Sequence, residues 1–355
     1  MAFSPERWRA IVRGSAGGPG AFVLRRVFWL ARGPYAVGSW LHARKYAKPA
    51  NVHRVGVPVI SVGNITVGGT GKTPCVEYVA KLLRGHEIQV AILSRGYGSA
   101  AGRNDEAMVL EENLPDVPHL QGADRTELAR TAIAELESEC LLLDDGFQHR
   151  KLGRDLDIVL IDASDPWAGG YLLPRGGLRE PKSRLSRADF ILLTRVDQAT
   201  DLPKLLAEVK KLAPGKPVAQ SVHRPTELVN GTETRPVADL AGKTVAAFCG
   251  IGNPAAFRRT LTDLGAVVLP DELREYPDHH PYSRADVDEL TRWVNSLDQD
   301  AWIVTTQKDW VKLRIDTLAG RPVYAVRIGL ELTAEQEAFD RAVRGAARLS
   351  TTDQP

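Results

Sequence analysis

Residues 58–74, Pro-Val-Ile-Ser-Val-Gly-Asn-Ile-Thr-Val-Gly-Gly-Thr-Gly-Lys-Thr-Pro, decide the fold class of this 355-residue chain. An apolar run passes into a glycine-rich loop that ends in Gly71-Lys72-Thr73, which is typical of a loop that holds nucleotide phosphates. Glycines let consecutive backbone N–H groups turn toward one anion, and the following helix presents its positive end to that anion. The strict pattern has glycine where this chain has Thr66, so the loop is a variant.

The loop predicts a set of nucleotide contacts. We expect Lys72 to reach the outer phosphates and Thr73 to hold Mg²⁺. The expected nucleotide-binding segment consists of Thr66, Val67, Gly68, Gly69, Thr70, Gly71, Lys72 and Thr73.

Apolar runs rich in Val, Ile and Leu alternate with helix-like stretches along the rest of the chain. Such runs predict buried parallel strands joined by helices. The predicted strands of the first domain cover residues 57–62, 88–93, 140–143, 156–161, 190–193 and 218–222. A second, smaller α/β unit is predicted from strands at 244–248 and 301–304 and a helix at 255–264. The turn between them contains Gly250-Ile-Gly252, but the third glycine of a dinucleotide fingerprint is absent, so we interpret it as a strand-to-helix turn.

The expected fold is therefore α/β, with a P-loop NTPase-type, mainly parallel sheet flanked by helices and a second smaller α/β domain. A polar stretch rich in Pro and Gly separates the two domains. The expected boundaries are a helical segment at 1–50, a P-loop domain at 51–222, a connector at 223–240, the smaller domain at 241–349 and a disordered tail at 350–355.

The amino-terminal segment is strongly basic. Residues 1–56 hold ten Lys or Arg and one acid, so their net charge is +9. Because the net charge of the whole chain is +2, the remaining residues carry −7. Arginine mixed with large aromatic residues suits an anionic membrane surface, although nucleic acid would attract the same arginines and a pair of helices packed on protein is the alternative. No run approaches the roughly 20 apolar residues that span a bilayer.

Neither a secretory signal nor a disulfide framework is evident, so we expect a protein that stays in the cytoplasm. Its three cysteines, Cys75, Cys140 and Cys249, are far apart and are expected to be reduced structural thiols.

A second motif, Leu141-Leu-Leu-Asp144-Asp145-Gly-Phe-Gln-His149, ends an apolar strand in two carboxylates. At the carboxyl end of a strand these acids would lie beside the phosphate loop, where one can hold Mg²⁺. An Asp-Asp-Gly turn is the alternative, but its pairing with the Gly-Lys-Thr loop favours the metal site.

Three nucleotide-dependent functions compete at this point. A GTPase switch would need Asp-x-x-Gly and Asn-Lys-x-Asp, and the nearest match to the latter, Thr194-Arg-Val-Asp197, lacks Asn-Lys. A nucleic-acid motor would need more motifs, whereas a small-molecule or lipid kinase needs only a base and an acceptor pocket. A membrane-associated ATP-binding module without enzymatic activity is a further alternative.

The motifs, in their order over about residues 55–315, resemble the tetraacyldisaccharide 4'-kinase (lipid A 4'-kinase) family. The residues that carry the resemblance are Val62-Gly-Asn64, Val67-Gly-Gly-Thr-Gly-Lys-Thr-Pro74, Leu93-Ser-Arg-Gly-Tyr-Gly98, Asp105-Glu106, Leu143-Asp-Asp-Gly-Phe-Gln-His149, Leu172-Leu-Pro174, Leu178-Arg-Glu-Pro181, Asp278-His279-His280 and Thr306-Gln-Lys-Asp309. The variant loop with Thr66 is the form of this family.

The resemblance implies a kinase that uses ATP and Mg²⁺ to phosphorylate the 4'-hydroxyl of a tetraacylated glucosamine disaccharide 1-phosphate. It also implies a peripheral or monotopic protein on the cytoplasmic face of the bacterial inner membrane, bound through its amino-terminal helix. Its partners would be the lipid substrate and the membrane surface, with no nucleic acid and no obligate protein partner.

Site residues follow from the same resemblance. Lys72 and Thr73 look like the phosphate and Mg²⁺ ligands, and Asp144 and Asp145 look like the metal-site acids. Asp105 resembles the base that accepts the proton of the acceptor hydroxyl, with His279 or its neighbour His280 as its partner, and we choose His279. Four further residues are expected to contact substrate: Arg95, Arg179, Glu180 and Lys308. The chain departs from the family at three loop positions, Ala107, Arg175 and Gly177.

Overall fold

The computed structural model describes residues 5–96 and 105–348, which form two compact units. Among these residues, unit 1 comprises 5–95, 116–222 and 331–348, and unit 2 comprises 96, 105–115 and 223–330. The expected contiguous domains differ from this division, because residues 105–115 join unit 2 and residues 331–348 join unit 1. The tail predicted at 350–355 lies outside the described residues.

The described residues contain ten α-helices. They are α1 (Pro5–Arg13), α2 (Pro19–Lys45), α3 (Lys72–Arg84), α4 (Asp105–Asn113), α5 (Arg125–Glu135), α6 (Leu202–Leu212), α7 (Pro254–Asp263), α8 (Arg284–Asn295), α9 (Gln307–Leu313) and α10 (Gln336–Ala346).

The same residues contain 13 strands. They are β1 (Val59–Asn64), β2 (Val90–Ser94), β3 (His119–Gln121), β4 (Cys140–Asp144), β5 (Leu156–Asp162), β6 (Phe190–Thr194), β7 (Val218–Val229), β8 (Thr234–Pro236), β9 (Thr244–Cys249), β10 (Val267–Glu275), β11 (Trp302–Thr306), β12 (Thr317–Leu318) and β13 (Arg321–Ala334).

Unit 1 is built on a parallel sheet with strand order β7-β6-β5-β1-β4-β2-β3, to which β7 contributes residues 218–222. Its central strands β1, β2, β4 and β6 are buried along their whole length, as expected for a parallel sheet covered on both faces. All six strands predicted for this domain are present, with β1 displaced by two residues and β2 starting two residues later than predicted. The sheet confirms the expected fold class.

The strand order places the two sequence motifs side by side. β1 pairs directly with β4 in register, and Val62 lies opposite Asp144. Because both strands are parallel, the loop after β1 and the carboxylates after β4 emerge at the same edge of the sheet. This is the edge where open α/β sheets bind ligands.

Within unit 2 the strands are ordered β10-β9-β11-β13-β7. The pairs β9–β10, β9–β11 and β11–β13 are parallel, and the short strands β8 and β12 add antiparallel pairs to β7 and β13. The predicted turn at Gly250-Ile-Gly252 leads into α7, whose first turn is capped by the Asn253 side chain accepting the Ala256 N–H. That interpretation is confirmed.

The stretch at 223–240, which was predicted to be a connector, contains regular secondary structure. Residues 223–229 continue β7, residues 234–236 form β8, and Val237–Leu240 form a 3₁₀ turn. Exposed and half-buried residues alternate over 223–227, and only Leu228 and Val229 are buried, so this part of the strand has a polar sequence.

The amino-terminal segment forms α1 and the long helix α2. Both lie against the 165–179 loop of unit 1: Trp8 Nε1 donates to the Pro174 carbonyl at 3.0 Å, and Tyr35 Oη donates to the Arg179 carbonyl at 3.1 Å. Along the described residues, no helix is long and apolar enough to cross a membrane. The three cysteines are buried free thiols, as expected.

Candidate active site

The phosphate loop of unit 1 connects β1 to α3. Two of its glycines have positive φ, 113° at Gly68 and 87° at Gly71, where a residue with a side chain would be strained. Open space surrounds the positions that a Cβ would take at Gly68 and Gly69. The loop is therefore a backbone-lined hollow at the amino-terminal end of α3, which fits a polyphosphate.

Neighbouring segments hold the loop in this conformation. Asn64 Nδ2 donates to Thr70 Oγ1 at 2.8 Å, and Thr194 Oγ1 donates to the Thr70 carbonyl at 2.9 Å. The Arg195 guanidinium donates to the Gly69 carbonyl at 2.8 Å, and the Val67 N–H donates to the Gly177 carbonyl at 2.7 Å. These contacts preorganise the loop, which lowers the entropic cost of binding.

Lys72, the first residue of α3, lies beside the second carboxylate of the Asp-Asp pair. Its Nζ is 3.8 Å from Asp145 Oδ1, while Arg179 Nη1 donates to both oxygens of Asp145 at 2.9 and 2.7 Å. Burial raises the pKa of Asp145, but the charges of Lys72 and Arg179 outweigh it and hold the pKa below its usual value. Asp145 is therefore ionised at neutral pH.

The residues that were predicted to hold Mg²⁺ lie at the same edge. Thr73 and Asp144 are both buried, and Asp144 ends β4 next to β1. Among the described residues no three His, Cys, Asp or Glu side chains form a metal cage. One hydroxyl and one or two carboxylates fit Mg²⁺, which takes its remaining ligands from phosphates and water.

Arg179 and Glu180 have different surroundings. Arg179 pairs with Asp145, whereas Glu180 is 5% exposed and accepts hydrogen bonds from Arg150 at 2.7 Å and Arg187 at 3.2 Å. The Gln148 amide links Glu180 to the end of β1. Its Nε2 donates to the Asn64 carbonyl at 2.8 Å and lies 3.3 Å from Glu180 Oε1. The structure thus places Glu180 in a buried cluster with these two arginines.

Asp105 and His279 are brought together within unit 2. Asp105 begins α4 and is buried, and His279 Nδ1 donates to its Oδ2 at 2.8 Å. His279 has a left-handed backbone, with φ of 61°, and its N–H donates to the Gly250 carbonyl at 3.1 Å. Strained backbone of this kind concentrates at functional sites, because the surrounding structure must compensate its cost.

The two groups shift each other's titration. Burial raises the pKa of Asp105, but the hydrogen bond from His279 and the charge of Lys308 outweigh it and lower the pKa. The same hydrogen bond raises the pKa of His279, against the opposing effect of burial. Asp105 is thus an ionised carboxylate whose second oxygen remains able to accept a proton, and the imidazole fixes its orientation.

The remaining predicted residues are divided between the two units, with Arg95 in unit 1 and Lys308 in unit 2. Lys308 is in unit 2, with Nζ 3.4 Å from Glu106 Oε1, next to Asp105. Arg95 follows β2 and is exposed, and Tyr97 and Gly98 of its motif lie outside the described residues. His280, the alternative partner for Asp105, has its Nε2 3.3 Å from Asp286, and no described contact joins it to Asp105.

One contact was missed at the sequence level. Arg125, at the start of α5, is buried, and its Nη1 donates to the Asp145 carbonyl at 3.1 Å. Its charge also lowers the pKa of Asp145. Nothing in the local pattern marks it, because it reads as an ordinary residue of the first turn after the capping Asp124.

The chain is similar to members of one family. A family model described as tetraacyldisaccharide-1-P 4'-kinase matches residues 24–348. The tetraacyldisaccharide 4'-kinase of Anaeromyxobacter sp. (strain Fw109-5) is 39% identical over 354 residues, which cover 94% of each chain. That of Syntrophus aciditrophicus is 40% identical over 283 residues, which cover 72% of this chain and 75% of that one.

A solved structure is also similar. The crystal structure of LpxK from Aquifex aeolicus in complex with ATP matches with a TM-score of 0.74 and 31% sequence identity, over 91% of this chain and 99% of that chain. This likeness confirms the predicted P-loop NTPase-like sheet.

Proposed function

This chain belongs to the tetraacyldisaccharide-1-P 4'-kinase family, and from that premise we infer that it transfers the γ-phosphate of ATP to the 4'-hydroxyl of a tetraacyldisaccharide 1-phosphate in lipid A biosynthesis. The observation that carries the function is the preorganised phosphate loop, with Lys72 at its end, in a chain that matches the family almost throughout. The assignments of individual residues below are our proposals.

On the donor side, we assign residues 66–73 to the phosphates of ATP. The backbone N–H groups of the loop and the amino-terminal end of α3 supply positive potential, and Lys72 adds a full charge. Its 3.8 Å separation from Asp145 is too long for a hydrogen bond, so Lys72 can turn to an outer phosphate at little cost.

Mg²⁺ would be held by Thr73, Asp144 and Asp145. The ion neutralises the negative charge on the phosphate that is transferred. Of the two acids, Asp145 is already engaged by Arg179, whose bonds to both carboxylate oxygens fix its orientation. We therefore assign direct coordination to Asp144 and Thr73, and a supporting role to Asp145. Arg125 and Arg179 keep Asp145 ionised for that role.

On the acceptor side, a sugar hydroxyl is a poor nucleophile at neutral pH. The Asp105 carboxylate would accept its proton as the new O–P bond forms, and His279 would hold the carboxylate in place through its 2.8 Å hydrogen bond. The raised pKa of His279 favours the imidazolium, which stabilises the ionised base before proton transfer. Lys308 adds a positive charge next to Asp105, and we retain it as a candidate substrate contact together with Arg95.

The lipid substrate requires an enzyme that reaches the membrane surface. α2 exposes eight large hydrophobic side chains along one broad face: Phe22, Val23, Val27, Trp29, Leu30, Val37, Trp40 and Leu41. A cavity of about 350 Å³ beside this face is lined by Phe22, Trp29, Arg25, Arg26 and Arg175. Apolar residues flanked by arginines suit the boundary between acyl chains and phosphate headgroups.

We therefore propose that α2 lies in the cytoplasmic face of the inner membrane, where ATP is available, and that the protein is peripheral or monotopic. The same face offers no feature specific to nucleic acid beyond its charge.

The proposed activity is tested by transfer of labelled phosphate from ATP to a tetraacyldisaccharide 1-phosphate in detergent micelles. We expect label in the lipid, dependent on Mg²⁺. Purified protein that moves no label, under conditions where the Anaeromyxobacter relative succeeds, would refute the assignment.

The acceptor pair is tested by Asp105→Ala and His279→Ala. Loss of a positioned base lowers turnover by roughly two to four powers of ten, so we expect kcat to fall on that scale while the Kd for ATP changes little. Asp286→Ala, which removes the carboxylate near His280, is the matched control and should keep turnover. Equal loss of ATP binding in the Asp105 and His279 variants would show that these residues are structural.

A further inference from the structure

The first turn of α9 contacts α4, which carries Asp105, and Gly250, which accepts a hydrogen bond from the backbone of His279. This turn begins with Thr306-Gln307-Lys308-Asp309, the sequence that follows β11. Thr306 is its amino-terminal cap and accepts the Asp309 N–H at 3.2 Å. Its three following side chains point to different partners, which explains why this polar run is largely buried.

Gln307 and Lys308 hold α4, the helix that carries Asp105. Gln307 is 6% exposed and forms a reciprocal amide pair with Asn113, with its Nε2 donating at 2.6 Å and its Oε1 accepting at 3.3 Å. Lys308 Nζ lies 3.4 Å from Glu106 Oε1. Because Glu106 is in the first turn of α4 and Asn113 is its last residue, both ends of the helix are tied to α9.

Asp309 holds the turn that carries His279. Its side chain is fully buried, and its Oδ2 accepts the Gly250 N–H at 3.0 Å. The Gly250 carbonyl in turn accepts the His279 N–H at 3.1 Å. One glycine residue thus links the Asp309 carboxylate to the strained backbone of His279.

Close packing at Gly250 shows how tight this link is. A Cβ at this position would lie 3.0 Å from Asp309 Oδ1 and 3.2 Å from both the His280 Cβ and the Pro277 carbonyl. Any side chain at residue 250 would therefore push the 277–280 turn away from α9 by a few tenths of an ångström. Only glycine allows the approach that is observed.

We propose that the first turn of α9 is a positioning element for the acceptor pair: Gln307 places Asp105 through α4, and Asp309 places His279 through Gly250. This inference rests on the proposed function, since it assigns these residues an effect on the same reaction. None of them is assigned a contact with the reacting atoms. Their effect follows from the geometry, because a shift of about 1 Å at a reacting group can cost roughly 100-fold in rate.

The central variant is Asp309→Ala, and its matched control is Asp316→Ala. Asp316 also accepts a glycine N–H in unit 2, that of Gly231 at 3.1 Å, but at a turn that has no part in the pair. We expect kcat to fall about 100-fold in Asp309→Ala with the KM for ATP unchanged, and to stay near the wild-type value in Asp316→Ala.

A second readout separates positioning from stability. The charged groups that face His279 are Asp105, Asp278 and Lys308, and its hydrogen bond to Asp105 is the largest cause of its raised pKa. We expect the NMR titration of His279 in Asp309→Ala to move toward the ordinary imidazole value, and to be unchanged in Asp316→Ala. A loss of Tm in both variants without a change in the His279 titration would overturn the proposal.

Two further variants protect the test against misfolding. Asp309→Asn keeps an oxygen that can accept the Gly250 N–H, so it should recover most of the turnover lost in Asp309→Ala. Gly250→Ala leaves Asp309 in place but moves the 277–280 turn, so it should lower kcat and shift the His279 titration as Asp309→Ala does. Wild-type titration in Gly250→Ala would contradict the linkage.

Failure of the proposed function would look different. The His279 titration requires no turnover, so it reports on positioning even in a protein that transfers no phosphate. If Asp105→Asn left kcat unchanged while Asp309→Ala still shifted the titration, the base assignment would fail and the positioning role would stand.

Discussion

Replacing Leu30 by alanine should weaken binding to anionic vesicles about 15-fold while leaving the fold intact. Leu30 is 68% exposed on the apolar face of α2, so it contributes little to the folded protein and is available to the bilayer. The substitution removes three carbons worth about 0.8 kcal/mol each when fully buried, and scaling by the exposed fraction of 68% gives about 1.6 kcal/mol. At about 1.4 kcal/mol per factor of ten, this corresponds to roughly 15-fold in the partition coefficient.

The assay is cosedimentation with vesicles of phosphatidylethanolamine and phosphatidylglycerol over a range of lipid concentrations. Leu136→Ala is the matched control, because Leu136 is 41% exposed at the end of α5 and lies outside the proposed membrane face. We expect the control to bind vesicles like the wild type, and both variants to keep the wild-type Tm. Equal partition coefficients for Leu30→Ala and wild type would refute the placement of α2 in the bilayer.

Two further predictions concern the donor loop and the acceptor pair. Gly68→Ala places a side chain at φ of 113°, so the loop must distort. We expect the Kd for ATP, measured by calorimetry, to rise by about tenfold or more, with little change in Tm. An unchanged Kd would argue against the loop as the phosphate site. Because the folded-state pKa of His279 is raised, its pairing with Asp105 contributes stability below the unfolded pKa that is lost as pH rises through the folded pKa. The stability difference between wild type and Asp105→Asn in urea unfolding should therefore shrink across that pH range, and a difference that grows with pH would contradict the raised pKa.

The central sheet of unit 1 could be predicted from sequence because its strands are continuous apolar runs. Strands β1, β4 and β6 are buried along their whole length, and their short length of five or six residues favours a buried strand over a helix. β13 was missed for the opposite reason: its 14 residues mix buried Val323 and Ala325 with exposed polar positions, so no single pattern extends along it. β3, with three half-buried residues, carries too little signal to be found.

The position of the proposed donor loop in the fold was predictable from local sequence, whereas the proximity of the proposed acceptor pair was not. Gly71-Lys72-Thr73 is a contiguous pattern with its own geometry, so its place between β1 and α3 follows directly. Asp105 and His279 are 174 residues apart, and only the folding of unit 2 brings them within 2.8 Å. The family resemblance identified them, since spacing alone gives no reason to pair them.

The surroundings of Glu180 could not be predicted from its motif. Its neighbour Arg179 reaches Asp145, but the Glu180 side chain points into the buried cluster with Arg150 and Arg187. Adjacent residues in an irregular loop face opposite ways, and the motif does not say which of them is exposed. The buried ion pairs are visible only once three separate segments are folded.

The discontinuous division of the chain has a consequence for its biosynthesis. Phe339 in α10 is fully buried in unit 1, where it packs edge-to-face on Phe190 with ring centroids 5.2 Å apart and on Tyr78 at 5.9 Å. A nascent polypeptide therefore exposes the matching surface on α3 and β6 until the ribosome has translated more than a hundred further codons. Proteolytic fragments that end before residue 336 would keep the whole nucleotide motif yet lack this closing aromatic contact, so truncation from the carboxyl terminus should yield insoluble protein before it yields a minimal kinase.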